Sequence, residues 1–245
     1  MASSDPVYLR IVEDLRRQIV EGSLPPGGSI PSRAQLTRRY GVGETAARHA
    51  LRVLVAEGLV VGKVGSGHYV RERPDLLPLH RDRFLGHHAP LAADLQAQGL
   101  RVTWNWRLER VPAPPGIAAR LRLPESAPVV RTRYVLRAAG RPVQLAAAYE
   151  PAELAGESGP AEGAEARQSV PARMSAAGIR VTGVVESVRT RVPEPAESDM
   201  LDLVTGTPVL HVERTHLAGE RPVETSDIVL PGDRFHLVYP LTFPA

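Results

Sequence analysis

Residues 30–70 read IPSRAQLTRRYGVGETAARHALRVLVAEGLVVGKVGSGHYV, and this stretch decides the fold. Pro31-Ser32 with Gln35 three residues beyond the serine is a capping-box pattern, which opens a short helix that Tyr40-Gly41 closes. The run from Glu44 to Glu57 then places Ala47, Ala50, Leu51 and Leu54 on one helical face and stops at Gly58. Thr45, Arg48 and Arg52 fall on a different face, so packing of the apolar stripe leaves them pointing outward. Leu59-Val60-Val61 and His68-Tyr69-Val70 are short β-prone runs around Gly65-Ser66-Gly67, which reads as a small hairpin.

Working toward the N-terminus, Asp5-Pro6 is a helix start with an acid at the N-cap and proline at the first helical position. Tyr8, Ile11, Val12, Leu15 and Ile19 recur at helical spacing until Gly22, and Leu24-Pro25-Pro26-Gly27-Gly28 is turn chemistry. A helix, a helix-turn-helix and a hairpin in this order is the winged-helix plan. In helix-turn-helix proteins the second helix of the pair enters the major groove with its N-terminal residues at base edges, and here that helix begins at Glu44 or Thr45. Residues 1–73 carry eleven Lys/Arg against seven acids, whereas the rest of the chain carries nineteen bases and twenty acids. A basic first third beside a neutral remainder points to a polyanion bound at the N-terminal end. Lys63 is the only lysine, so arginine usage is equally explained by a GC-rich genome, and the motifs carry the case.

The segment from Pro74 to about Pro90 breaks every periodicity and holds three prolines and three histidines, which marks it as a linker. The expected organisation is therefore a winged-helix domain over 1–73, a linker over 74–90 and a second domain over 91–245. In the last, helical stretches are expected at Leu91 to Gln98, Pro114 to Leu121, Ser169 to Ala177 and Pro195 to Leu203. Strands are expected near 102–111, 128–138, 142–149, 180–192, 208–217, 222–230 and 235–239, giving an α+β domain around one antiparallel sheet. Gly156 to Gly163 reads as a loop with no functional signal.

These residues resemble the GntR transcription regulators, and within them the HutC-like subfamily. The resemblance rests on Tyr8 with Ile11, Glu21-Gly22 to Pro26-Gly27, Ile30-Pro31-Ser32, Leu36, Tyr40-Gly41-Val42, Thr45, Arg48, Ala50-Leu51, Leu54, Glu57-Gly58-Leu59-Val60 and Gly65-Ser66-Gly67. The C-terminal part is similar to the UTRA effector domain, whose fold is like chorismate lyase. Arg131-Thr132-Arg133, Gly140-Arg141-Pro142-Val143, Arg221-Pro222-Val223-Glu224 and Gly232-Asp233-Arg234-Phe235 carry that likeness. The resemblance implies a homodimeric, repressing regulator that reads an inverted-repeat operator in double-stranded DNA and is released by a small effector. It implies no cofactor. Two departures stand out: Ser32-Arg33-Ala34 and Gly43-Glu44 lack two arginines expected at the DNA. Arg33 is placed to replace one of them, while Glu44 faces phosphates unfavourably unless it accepts from a cytosine amino group.

The expected DNA-binding residues are Ser32, Arg33, Thr45, Arg48, Arg52, Gly65, Gly67 and His68. The plain alternatives are a solvated helix face and an ordinary hairpin turn; a turn tip without side-chain bulk, however, approaches a phosphate backbone closely. Arg131 and Arg133 are two apart in an expected strand, so both guanidiniums project from one sheet face. Such a pair either binds a phosphate or carboxylate bidentately or forms an exposed cationic face. The resemblance assigns them to a phosphorylated or carboxylated effector, with Ser169 and Glu224 as further contacts. Ala146 stands where an acid is common and Leu230 where a tyrosine is common, so the familiar sugar contacts are changed.

Other chemistry is disfavoured. The absence of cysteine removes disulfides, thiolate metal sites and cysteine nucleophiles. His80, His87 and His88 fall in or next to the linker, no cluster has helix-based metal spacing, and no nucleophile elbow, P-loop or dinucleotide motif occurs. The alternatives are a chorismate-lyase-like enzyme carrying a DNA-binding domain and a regulator with a degenerate effector site. No run is long enough to span a bilayer and Met1 to Leu15 is not a signal peptide, so a cytoplasmic protein is expected.

Overall fold

The computed structural model describes residues 6–63, 65–72, 76–81, 90–154 and 169–240. Asp5, His87, His88 and the 156–163 loop lie outside the described residues. The chain divides into two compact units, one of Met1–Asp75 with Val204–Thr207 and one of Leu76–Leu203 with Pro208–Ala245.

The first unit contains α1 (Val7–Val20), α2 (Arg33–Tyr40), α3 (Glu44–Ala56) and the antiparallel hairpin of β1 (Val60–Lys63) and β2 (Gly67–Val70). Pro6 stands at the N-cap of α1, so the helix starts one residue later than expected. The capping box of α2 is present in both directions: the Ser32 hydroxyl accepts from the Gln35 N–H, and the Gln35 side chain accepts from the Ser32 N–H. Ile11, Val12 and Leu15 of α1 meet Leu36 of α2 and Ala47, Ala50, Leu51 and Leu54 of α3, with Ile30, Val60 and Val70 closing the core. Leu15, Leu36 and Leu54 are wholly buried, and each such leucine contributes about 1.5–3 kcal/mol. Asp14 on α1 receives hydrogen bonds from Tyr40, Gln18, Arg17 and Arg39, tying α1 to the end of α2. Burial, with the Asp14 carboxylate beside it, pushes the Tyr40 phenol up to about 12.

In the second unit, β3 (Leu77–His80) lies inside the stretch expected as linker and pairs in parallel with the last strand, β10 (Phe235–Val238). Pro78 argues against a strand in the sequence, and the partner of this one is more than 150 residues away; both features hide it from local reading. Its anchor is the Asp94 carboxylate, which accepts from the His80 N–H at 3.0 Å. The 235–239 strand expected in the main sheet thus belongs to a separate two-stranded ribbon.

The remaining elements are α4 (Pro90–Ala97), β4 (Val102–Pro112), α5 (Pro115–Leu121), β5 (Pro128–Ala138), β6 (Arg141–Pro151), α6 (Val170–Ala176), β7 (Gly183–Arg191), α7 (Pro195–Met200), β8 (Val209–Ala218) and β9 (Arg221–Pro231). The sheet runs β4-β5-β6-β9-β8-β7 and every neighbouring pair is antiparallel. On one face Leu136, Val212, Ile228 and Leu230 pack with Leu91 and Leu95 of α4, Leu79 of β3 and Phe235 of β10. On the other, α5 covers one corner through Ile117, Ala118 and Leu121 against Tyr149 and Val129. Leu201, just past α7, packs on Leu145, Val209 and Val229. Among the described residues no helix is long and apolar enough to cross a membrane.

Candidate functional site

In the first unit the apolar stripe of α3 is turned inward, and its outward face presents Thr45, Arg48 and Arg52, all exposed. Arg33, Arg48, Arg52 and His68 line one groove of about 440 Å³ between the helices and the hairpin. Arg33 and Glu44 pair across the helix-turn-helix at 3.5 Å, both side chains well exposed. The neutralised Glu44 therefore presents less negative charge than the sequence suggests. Arg52 faces the His49 Nδ1 at 3.1 Å, whereas Arg48 has no ion pair among the described residues. Ser32 is exposed but its hydroxyl is committed to the cap. Gly65 and Gly67 adopt φ of +73° and +102°, a backbone open to glycine, and a Cβ on either would meet nothing within 4 Å. The hairpin tip is thus bare backbone, stiffened by Tyr69, whose hydroxyl lies 2.7 Å from that of Ser66.

In the second unit the face flanked by α5 and α7 holds a cavity of about 980 Å³. Val135, Leu145, Val229, Ile117 and Met200 supply apolar wall, and Arg107, Arg120, Arg133, Arg189 and Arg191 reach it. Of the four residues expected at an effector, Arg131 and Arg133 share this face. Both guanidiniums approach the Glu109 carboxylate, at 3.0 Å and 3.8 Å. Arg131, with Arg133 and Arg107 adding to it, holds the Glu109 carboxyl below its ordinary value.

Ser169 and Glu224 are not brought to that site. Glu224 sits on the opposite face, buried and hydrogen-bonded to the His216 Nδ1 at 2.6 Å. Ser169 is buried and caps α6, its hydroxyl accepting from the Ala172 N–H at 3.3 Å. The reason is strand parity: Arg133 is in register with Ala147, and Ala147 with Asp227, so an odd position in β9 shares the arginine face and Glu224 does not. On the Glu224 face, Arg173 pairs with Glu150, and Arg81 and Arg214 share Glu186. Burial, helped by Arg81 alongside, pushes the Arg214 guanidinium below its ordinary value.

Sequence reasoning missed Arg107. It stands directly opposite Arg133 across the β4–β5 ladder, and two like charges so placed repel unless an anion joins them. The single rung reads Arg107, Arg133, Ala147, Asp227, Glu213 from β4 to β8, with two arginines at one end, two carboxylates at the other and the smallest side chain between. At the acidic end the carboxylates have partners: Arg120 with Asp227 at 2.8 Å and Arg189 with Glu213 at 3.2 Å. Among the described residues, Glu109 is the one carboxylate paired with Arg131 and Arg133 at the arginine end.

Comparison with known proteins places both units. Residues 7–70 match the gntR family of bacterial regulatory proteins, and residues 97–236 match the UTRA domain. The chain is 28% identical over 235 residues to the histidine utilization repressor of Pseudomonas putida, covering 95% of this chain and 90% of that one. It is 25% identical to the transcriptional repressor NagR of Bacillus subtilis, covering 96% and 94%. A crystal structure of a GntR-family transcriptional regulator superposes with a TM-score of 0.77 at 38% identity, covering 98% of this chain and 99% of that one. PhnF from Mycobacterium smegmatis shares the fold at a TM-score of 0.58 and 23% identity. The first three are named as repressors or a regulator, and the enzymatic alternative finds no support among them.

Proposed function

The chain belongs to the gntR family of bacterial regulatory proteins, with a UTRA effector domain as its second unit, and from that premise we propose that it is a cytoplasmic homodimeric repressor released from an inverted-repeat operator by a small anionic metabolite. One helix-turn-helix reads one half-site, so a dimer matched to a symmetric operator follows. Arg48 and Thr45 contact bases or phosphates from the outward face of α3, Arg33 and Arg52 flank them, and the Gly65–Gly67 tip with His68 approaches the backbone. Footprinting tests this half of the reading, and protection of a single unrepeated half-site would overturn it.

The effector is a phosphorylated or carboxylated compound held by Arg133 and Arg131 with Arg107. The observation that carries this is the grouping of three guanidiniums around the single Glu109 carboxylate, at the end of the cavity away from its acidic residues. Charge-assisted hydrogen bonds from the unneutralised guanidiniums give an anion an advantage over a neutral isostere. To release the operator it must prefer one arrangement of the protein over another. A thermal-shift screen over phosphorylated, carboxylated and neutral metabolites identifies stabilising ligands, and calorimetry on wild type and Arg133→Ala follows. Equal affinity in both proteins would remove the arginines from the site, and a neutral effector would remove the anion.

A further inference from the structure

At the acidic end of the cavity, His211 and Glu213 stand two apart on β8 with Asp227 beside them on β9, directly opposite Glu213. One ligand-type atom from each lies within 4.8 Å of the others, and all three line the cavity. The His211 side chain is nearly buried, at 9% exposure, while Glu213 and Asp227 are a third exposed. Arg189 now bridges two of these groups: its Nε donates to the His211 Nδ1 at 3.0 Å and its Nη2 lies 3.2 Å from the Glu213 carboxylate. That guanidinium marks where a cation is attracted by both. It is also easily displaced, since the Arg189 side chain is 61% exposed.

We propose that His211 and Glu213 ligate a divalent transition-metal ion, which takes the place of the Arg189 guanidinium, with Asp227 supporting the imidazole. Metal at Nδ1 leaves the Nε2–H directed at the Asp227 carboxylate, now 3.5 Å away, and a carboxylate behind a ligating imidazole orients it and raises its basicity. The ligand set is imidazole and carboxylate without thiolate, which suits Zn²⁺ and its divalent neighbours, with water in the open position. Arg120 and Arg191 also face this corner, but each is paired with a carboxylate, Asp227 and Glu197 respectively, so the release of Arg189 removes the cation that competes directly with the metal. The site lies at the acidic end of the cavity, away from Arg107 and Arg133, and neither operator nor anionic effector is needed to test it.

The test is calorimetric titration of the full chain with Zn²⁺ alone, on wild type, Arg189→Ala, His211→Ala and Glu213→Gln. Removing the competing guanidinium should tighten Zn²⁺ about tenfold, as expected for loss of a charged hydrogen-bond competitor. His211→Ala and Glu213→Gln should each weaken it by about 10–100-fold. The Glu213 side chain is a third exposed, so its variant keeps the test valid should His211→Ala fail to fold. Absence of binding to both wild type and Arg189→Ala overturns the proposal. So does Zn²⁺ binding that Glu213→Gln and a folded His211→Ala leave unchanged, because the metal is then held by histidines elsewhere.

Discussion

Two groups of arginine, one in each unit, are used in opposite ways. In the first, Arg10, Arg17, Arg38, Arg39, Arg48 and Arg52 are exposed around an apolar core, and their fields extend into solvent. In the second, Arg81 is buried and the side chains of Arg173 and Arg214 are largely withdrawn from solvent against the sheet, each beside a carboxylate that cancels its charge. An exposed guanidinium is available to a polyanion, whereas a buried paired one is a structural strut that attracts nothing from outside. Arg107 and Arg133 are exposed as well, but on the sheet at a cavity, where Arg133 shares the Glu109 carboxylate with Arg131. The same side chain thus serves three purposes according to where its carboxylates are.

The contrast is sharpest at Glu186. Glu186→Ala strips two buried guanidiniums of their shared carboxylate and should cost the second unit about 3–5 kcal/mol. Both tryptophans, Trp104 and Trp106, lie in β4, so their fluorescence in a urea titration reports this unit selectively. A shift under about 1 kcal/mol, the scale of surface pairs, would erase the distinction between the units. On the other side of the comparison, Arg48→Ala should weaken operator binding by about 1–3 kcal/mol while leaving the urea midpoint in place. Gel-shift titrations at several salt concentrations measure it, with the α1 residue Arg10 replaced as the control. Unchanged binding would return Arg48 to a merely solvated face.

Smaller effects should come from the joints of the first unit. Ser32→Ala removes the hydroxyl half of the α2 capping box and should cost about 1 kcal/mol, read from the helical circular-dichroism signal during unfolding. A loss no larger than experimental scatter would mean that water replaces the cap. Least of all should be Arg16→Ala. Its guanidinium grips Glu57 bidentately at 2.6 Å and 3.2 Å, yet the side chains are 42% and 33% exposed. About 0.2–1 kcal/mol is expected, shrinking as salt is added. A loss as large as that of Glu186→Ala would show that exposure is not what separates the two groups of arginines.

The sequence by itself determined what is local. The Ser32–Gln35 box, the stripe Ala47, Ala50, Leu51, Leu54 and the glycine turn at 65–67 each depend on residues within about four positions of one another. Hydrogen-bond geometry and the helical repeat act over that range, and the structure carries all three. Alternation likewise placed Arg131 and Arg133 on one face of one strand. Only the tertiary structure decided which positions of other strands share that face. A side-chain period of two fixes parity within a strand, and register with its neighbours fixes it across the sheet. Register put Arg107 opposite Arg133, turned Glu224 away from both, and gathered His211, Glu213 and Asp227, none of which any spacing in the chain announces. The pairing of Leu77–His80 with Phe235–Val238 was beyond local reading for the same reason, since it rests on contacts between segments far apart in the chain.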